Sequence, residues 1–224
     1  MNLSIEPGLG LVLSFGFVFF AMGLASILLW LRVVDTNGAR KTIHVLVGHW
    51  WFIAMATMPD LSFAIIGPAV FIVLNWLVYH FHMVPAMETK ESNLGTVYFP
   101  ISLLILVLLT WNSPEYRWIG GLGIIVLSWG DAAAAIVGER WGKFGPSIPW
   151  VNKTLLGTGA MAGVSFLVIL SMMAIFLGPL NWQLIGLAGL VALFAAVVEA
   201  VTPFGMDNLT VPLLSAGLLW VFVQ

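Results

Sequence analysis

Asp131 and Glu199 are the residues whose types fit their surroundings least. Asp131 lies in "SWGDAAAAIVGERWGKFG", residues 128–145, and Glu199 opens the polar end of "VVEAVTPFGMDNLTVP". Each closes a long apolar run. A charged side chain inside a bilayer costs at least a few kcal/mol, so intramembrane acids mark sites or pathways. The plainer alternative for Asp131 is a pairing with an arginine that locks two helices together. Asp207 and Asn208 follow Glu199 at the start of the last apolar run, where either residue is an ordinary helix N-cap. Capping accounts for one of them and leaves Glu199 unexplained. Hard carboxylate oxygens at a membrane edge suit Mg²⁺, which takes one or two carboxylates and completes its shell with substrate phosphates.

A second set of residues suits phosphate. "GERWGKFG" interleaves Gly138, Gly142 and Gly145 with Arg140 and Lys143. Read as a loop, it lets backbone N–H groups curl toward an anion while the cations add charge-assisted bonds. A basic glycine loop is also a common cytoplasmic turn. "NKTLLGTGAMAG" opens a helix with Lys153 beside Asn152 or Thr154 as cap. A helix N-terminus with a lysine binds anions readily, whereas Gly159 and Gly163 form a small-residue pair that packs helices. "ARKTIHVLVGHWW" sets Arg40, Lys41 and His44 at another helix entrance, as phosphate ligands or as topology anchors. "ESNLGTVYFP" sets Gly95, Thr96 and Tyr98 at a further inner helix start, with no chemistry legible from residue types. The histidines lack zinc-ligand spacing. Cysteine is absent, which excludes disulfides, thiolate metal sites and a cysteine nucleophile.

The elements that position these residues are membrane helices. The 224 residues are 61% hydrophobic and 8% charged, against roughly 25% charged in ordinary soluble domains. A net charge of −2 provides no basic field for nucleic acid. Spanning takes about 20 apolar residues, and eight runs qualify, within a range of seven to nine: 9–31, 44–58, 61–81, 96–111, 118–137, 155–177, 183–201 and 209–223. The first is a retained helix rather than a signal peptide. The expected fold is an all-α polytopic transmembrane bundle, one integral membrane domain over residues 1–224. Arg32, Arg40, Lys41, Lys90, Arg140, Lys143 and Lys153 fall on one side and only Arg117 on the other. The positive-inside rule makes the first side cytoplasmic, with the chemistry there and both termini outside. Asp131, about 13 residues beyond Trp118, lies roughly 20 Å into its span. Tryptophans and tyrosines near helix ends read as interfacial belts.

Taken in order, "RKTIHVLVG", "GTVYFP", "GDAAAAIVGERWGK", "NKTLLGT" and "VEAVTPFGMDNLTVP" resemble the CTP-dependent lipid kinases: phytol, farnesol and dolichol kinases and the yeast-type diacylglycerol kinase, distant relatives of phosphatidate cytidylyltransferases. The resemblance runs from about residue 38 to residue 215. It implies transfer of the γ-phosphate of CTP, with Mg²⁺, to a membrane-embedded isoprenoid alcohol. Arg40, Lys41 and His44 match the first basic motif, and Asp131, Gly138, Arg140 and Gly142 the acidic and glycine motif. Lys153, Thr154, Gly157 and Thr158 match the K-[ST]-x-x-G-[ST] segment, and Glu199, Asp207, Asn208 and Pro212 the last. Leu156 stands where dolichol kinases and cytidylyltransferases commonly carry Glu, and "DNLTVP" looks nearer the phytol kinase branch. In the implied mechanism Asp131 and Asp207 hold Mg²⁺. Arg140, Lys143, Lys153 and Lys41 clamp the phosphates, Glu199 or Asp131 handles the alcohol, and Asn208 binds metal or ribose. The alternatives are CDP-lipid synthesis and small-molecule transport. One-sided polar groups and the lack of a repeat argue against transport.

Overall fold

The computed structural model describes residues 7–81, 94–142, 145–148 and 153–223. The chain divides into two compact units, Met1–Arg117 and Trp118–Gln224. Five helical stretches are long and apolar enough to cross a membrane: Gly8–Trp30, Leu61–His80, Pro114–Trp141, Leu155–Phe176 and Trp182–Val201. Gly95–Thr110 and Asp207–Val223 are shorter apolar helices. Large apolar side chains lie open on these helices, among them Phe19, Leu167, Ile175, Leu193 and Val221. Such apolar surface is normal against lipid and abnormal against water. The protein is therefore a predominantly helical membrane protein.

The first unit contains α1 (Pro7–Trp30), α2 (Thr36–Gly48), α3 (Trp50–Thr57), α4 (Leu61–Ala64), α5 (Ile66–His80) and α6 (Gly95–Thr110). Two of its expected spans are broken, each for a local reason. The run 44–58 breaks at His49. The His49 ring bonds the Val45 carbonyl at 2.8 Å, taking the acceptor that its own N–H needs in a regular helix. That N–H turns instead to Leu46 and Val47. The run 61–81 breaks at Ile65 because Pro68 has no N–H for the Ala64 carbonyl. Upstream, Asp35 caps α2 by accepting from the Gly38 N–H at 2.7 Å, the usual service of a short acid there.

Tryptophans expected at the membrane interface include four core residues: Trp50, Trp51, Trp111 and Trp118 are at most 4% exposed. Each of the central pair has a satisfied indole N–H. Trp51 donates to the Arg117 carbonyl at 2.9 Å and Trp111 to the Met58 carbonyl at 3.0 Å, in a T-shaped pair with centroids 5.6 Å apart. Arg117 also works in this core. Its guanidinium donates to the Trp111 and Pro59 carbonyls, each at 2.8 Å, and lies 4.9 Å from the Trp111 ring centroid. Arg117 therefore ties the 59–60 turn to the end of α6.

The second unit contains α7 (Arg117–Trp141, its first residue shared with the first unit), β1 (Ser147–Ile148), β2 (Lys153–Thr154), α8 (Leu155–Phe176), α9 (Trp182–Val201) and α10 (Asp207–Val223). α7 is its most buried span. Its glycine-rich face lets neighbours touch backbone: a Cβ on Gly123 would collide with the Pro212 carbonyl of α10. On the α8 side, a Cβ on Gly157 would fall 2.8 Å from the Ala134 carbonyl. Gly157→Val is accordingly expected to push α8 off α7 and destabilise the fold by about 1–3 kcal/mol. A thermal melt of the detergent-solubilised variant matching the wild type would refute this contact.

Three local features depart from the sequence reading. The expected loop at Gly138 and Arg140 is helix, since α7 runs on to Trp141. Alanines 132–135 favour helix continuation, and one glycine costs only about 1 kcal/mol against it. A two-residue antiparallel hairpin, Ser147 paired with Thr154 and Ile148 with Lys153, interrupts the all-α pattern. It leads directly into α8. Between α9 and α10, Phe204 and Gly205 both take left-handed backbone, φ 58° and 74°. Only glycine adopts that region freely, and the two residues together reverse the chain within a few positions.

Candidate active site

Each of those departures serves one cluster. The hairpin sets Lys153 at the mouth of α8, where Thr154 caps the helix by accepting from the Gly157 N–H at 3.1 Å. The left-handed turn brings Asp207, at the start of α10, back to Glu199, at the end of α9. Lys153 Nζ bridges them, 2.7 Å from Glu199 Oε1 and 2.9 Å from Asp207 Oδ2. It also donates to the Glu199 backbone carbonyl. Asp131, from the C-terminal half of α7, completes the group: one carboxylate oxygen from each of Asp131, Glu199 and Asp207 lies within 4.8 Å of the others. Four elements thus converge on one small volume.

The electrostatics of the group favour positive charge. Glu199 and Asp207 are buried, with side chains 5% and 12% exposed, and Lys153 is 22% exposed. Asp131 is the least buried of the acids. Buried charges persist only when paired, and Lys153 supplies a cation to Glu199 and Asp207. Burial pulls the Lys153 pKa down, but the attraction of Asp207 and Glu199 outweighs it and holds the value above normal. Lys153 therefore stays cationic through the neutral and mildly alkaline range. Because the folded value is the higher one, its contribution to stability is complete below the ordinary lysine pKa and is lost only as pH rises through the folded value. The donor set is all hard oxygen, and the ammonium already marks a place where a cation is stable. Both observations fit Mg²⁺.

The remaining expected residues fall in several places. Asn208 donates from its backbone N–H to Asp207 Oδ1 at 3.0 Å and from its amide to the same oxygen at 3.2 Å. It holds the Asp207 carboxylate in position. Gly138 and Gly142 pack on the Thr154 side chain; a Cβ on Gly142 would lie 2.5 Å from Thr154 Cγ2. Thr158 turns its hydroxyl back to the Thr154 carbonyl at 3.2 Å. Arg140, on the last turn of α7, lies over Trp141 with 5.7 Å to the ring centroid. Lys143 and the alternative cap Asn152 lie outside the described residues.

Arg40, Lys41, His44, Gly95, Thr96 and Tyr98 belong to the first unit. Arg40 bonds Asn37 Oδ1 at 3.0 Å, and the His44 ring packs on Phe99 with centroids 4.5 Å apart. Gly95 opens α6 and is buried, with Thr96 and Tyr98 half-buried in its first turn. Two features escaped the sequence reading. Lys153, expected on phosphate, is paired with Glu199 and Asp207, a contact absent from the sequence reading. The rule that buried acids need a nearby cation pointed to it. Asn75, alone among apolar residues in α5, donates to the Thr96 carbonyl at 2.7 Å. An isolated amide in a membrane run is the signal that identifies it.

These helices and this lysine-bridged carboxylate group define a polytopic membrane protein with a cluster of acids that could hold a metal ion. The chain is 32% identical over 205 residues to a phytol kinase of Synechocystis sp., covering 88% of this chain and 84% of that protein. It is 35% identical over 203 residues to a probable chloroplastic phytol kinase of Triticum aestivum, covering 81% of this chain and 66% of that protein. A CTP-dependent diacylglycerol kinase of Schizosaccharomyces pombe is 31% identical over 153 residues, covering 62% of this chain and 66% of that protein. The chain belongs to the CTP-dependent phytol/polyprenol kinase family. No family model matches it, and no solved structure matches it.

Proposed function

We propose that the protein transfers the γ-phosphate of CTP to the hydroxyl of an isoprenoid alcohol such as phytol, farnesol or geranylgeraniol. The observation that carries this reading is the buried Asp131–Glu199–Asp207 group bridged by Lys153, in a chain whose relatives are named phytol kinases. The whole chain acts as one integral membrane domain. It crosses the bilayer eight times, with α2 and α3 together as the second crossing, the acids at the cytoplasmic face and both termini outside.

Phosphoryl transfer asks the protein mainly for positioning and charge neutralisation. Asp131 and Asp207 would hold Mg²⁺, which would supply positive charge against the triphosphate. Glu199 keeps Lys153 at the site through its carboxylate and its backbone carbonyl. Lys153 donates to phosphate oxygens when CTP is present, with Arg140, Lys143, Arg40 and Lys41 as further cations. Gly138, Gly142, Gly157 and Thr158 shape the phosphate site around Thr154, and Asn208 fixes Asp207. The alcohol oxygen forms the new bond to the γ-phosphorus as the bond from that phosphorus to the β-bridging oxygen breaks. CDP leaves, and the hydroxyl proton passes to Asp131, the least buried acid.

The test is a transfer assay on purified protein with γ-labelled CTP or ATP, Mg²⁺, and farnesol, geranylgeraniol, phytol, a long polyprenol or diacylglycerol. Label in an isoprenoid alcohol from CTP is the expected result. Label from ATP alone would overturn the donor assignment. Label in no lipid, with phosphatidate and CTP giving a CDP-lipid, would replace the kinase reading with a cytidylyltransferase.

A further inference from the structure

The first unit contains a cavity of about 140 Å³, with Arg40 in its wall. Its walls are apolar and aromatic apart from Arg40, His44, Asn75 and Thr96. Those four are not scattered. Arg40 and His44 stand one turn apart on α2, as i and i+4 residues do, and Val47 and Trp50 follow them toward the other end. Asn75 lies near the end of α5, with Phe71 and Gly67 before it. Thr96 lies at the start of α6, with Phe99 and Leu103 after it. The Asn75–Thr96 bond joins the polar ends of α5 and α6. Trp50, against Gly67, marks the apolar end. The walls from α2, α5 and α6 therefore run from polar to apolar in the same direction, and α1 adds Val18.

A cavity graded in this way fits an amphiphile with one small polar head and one apolar chain. Its size sets the class more narrowly. A dry cavity of about 150 Å³ holds a benzene-sized molecule, so this one takes a hydroxyl and roughly one five-carbon unit. An Arg guanidinium at the polar end suits a hydroxyl oxygen and, better still, the phosphate monoester made from it. We infer that this cavity binds the hydroxyl end of the isoprenoid alcohol, with Arg40 on the head group and the rest of the chain left in the lipid. The inference rests on the kinase reading for its choice of alcohol. It assigns the acceptor to the first unit and moves Arg40 from the nucleotide to the acceptor.

The test uses a ten-carbon prenol carrying a diazirine on its first isoprene unit, photolysed on the full-length protein in detergent. Labelled peptides are expected within residues 40–50, 67–75 and 96–103, lost on adding excess phytol and kept with excess phosphatidylglycerol. Val47→Phe, which fills the cavity, is expected to raise KM for the alcohol about tenfold while leaving KM for CTP unchanged. Label elsewhere, or label displaced by phosphatidylglycerol and not by phytol, overturns the assignment. Phosphoryl transfer without labelling of these segments keeps the kinase and sinks the cavity. Labelling here without transfer to any alcohol keeps the cavity as a prenol site and sinks the kinase.

Discussion

Asp131→Asn is expected to lower phosphoryl transfer by about 10²–10³-fold or more while leaving the protein folded. The substitution keeps size and hydrogen-bonding reach and removes a negative charge. Asp131 is the least buried of the three acids, so its loss disturbs packing least. In the proposed mechanism it costs a metal ligand and the acceptor of the hydroxyl proton. Removing one preorganised electrostatic group from an active site typically costs a factor of that size. The check is a transfer assay beside a thermal melt of the same preparation. Activity within about tenfold of wild type would remove Asp131 from the chemistry. Lost activity with a collapsed melt would place it in folding instead.

Lys153→Met is expected to lower stability sharply and to make that stability depend on Mg²⁺. Lys153 is the only cation that the described residues bring onto Glu199 and Asp207, at 2.7 and 2.9 Å. Removing one partner of a buried ion pair costs about 3–5 kcal/mol, because the remaining charge is left buried and uncompensated. Here two carboxylates are left, while the partial exposure of Lys153 keeps the loss near the lower end. A divalent ion supplies the missing positive charge, so the melting temperature of the variant should rise more with Mg²⁺ than that of the wild type. Lys153→Arg keeps the charge and should recover most of the stability. A Lys153→Met variant that melts like the wild type in EDTA would show that the bridge carries no net stabilisation. An equal response of both proteins to Mg²⁺ would show that the ion does not enter this site.

Apolar runs alone place nearly every helix, because a bilayer admits few backbone solutions and each span must satisfy its own hydrogen bonds. The acids were equally legible, since a carboxylate in such a run is too costly to be incidental. Both broken spans also have sequence causes, His49 and Pro68, but apolar content outweighs such single residues in a reading by hydropathy. The loop expected at Gly138 and Arg140 gave way to helix because glycine is a weak breaker when packing rewards continuation.

What the sequence by itself determined is therefore a helical membrane protein with intramembrane acids and a set of loosely basic glycine motifs. The tertiary structure decided which of these meet. Asp131, Lys153, Glu199 and Asp207 are spread over more than 70 positions of the chain. A two-residue hairpin and a left-handed turn at Phe204 and Gly205 bring Lys153, Glu199 and Asp207 within ion-pairing distance, and Asp131 of α7 joins the two acids. Neither device has a periodic signal, and the pairing follows from the need of buried charges for partners, which acts through space rather than along the chain.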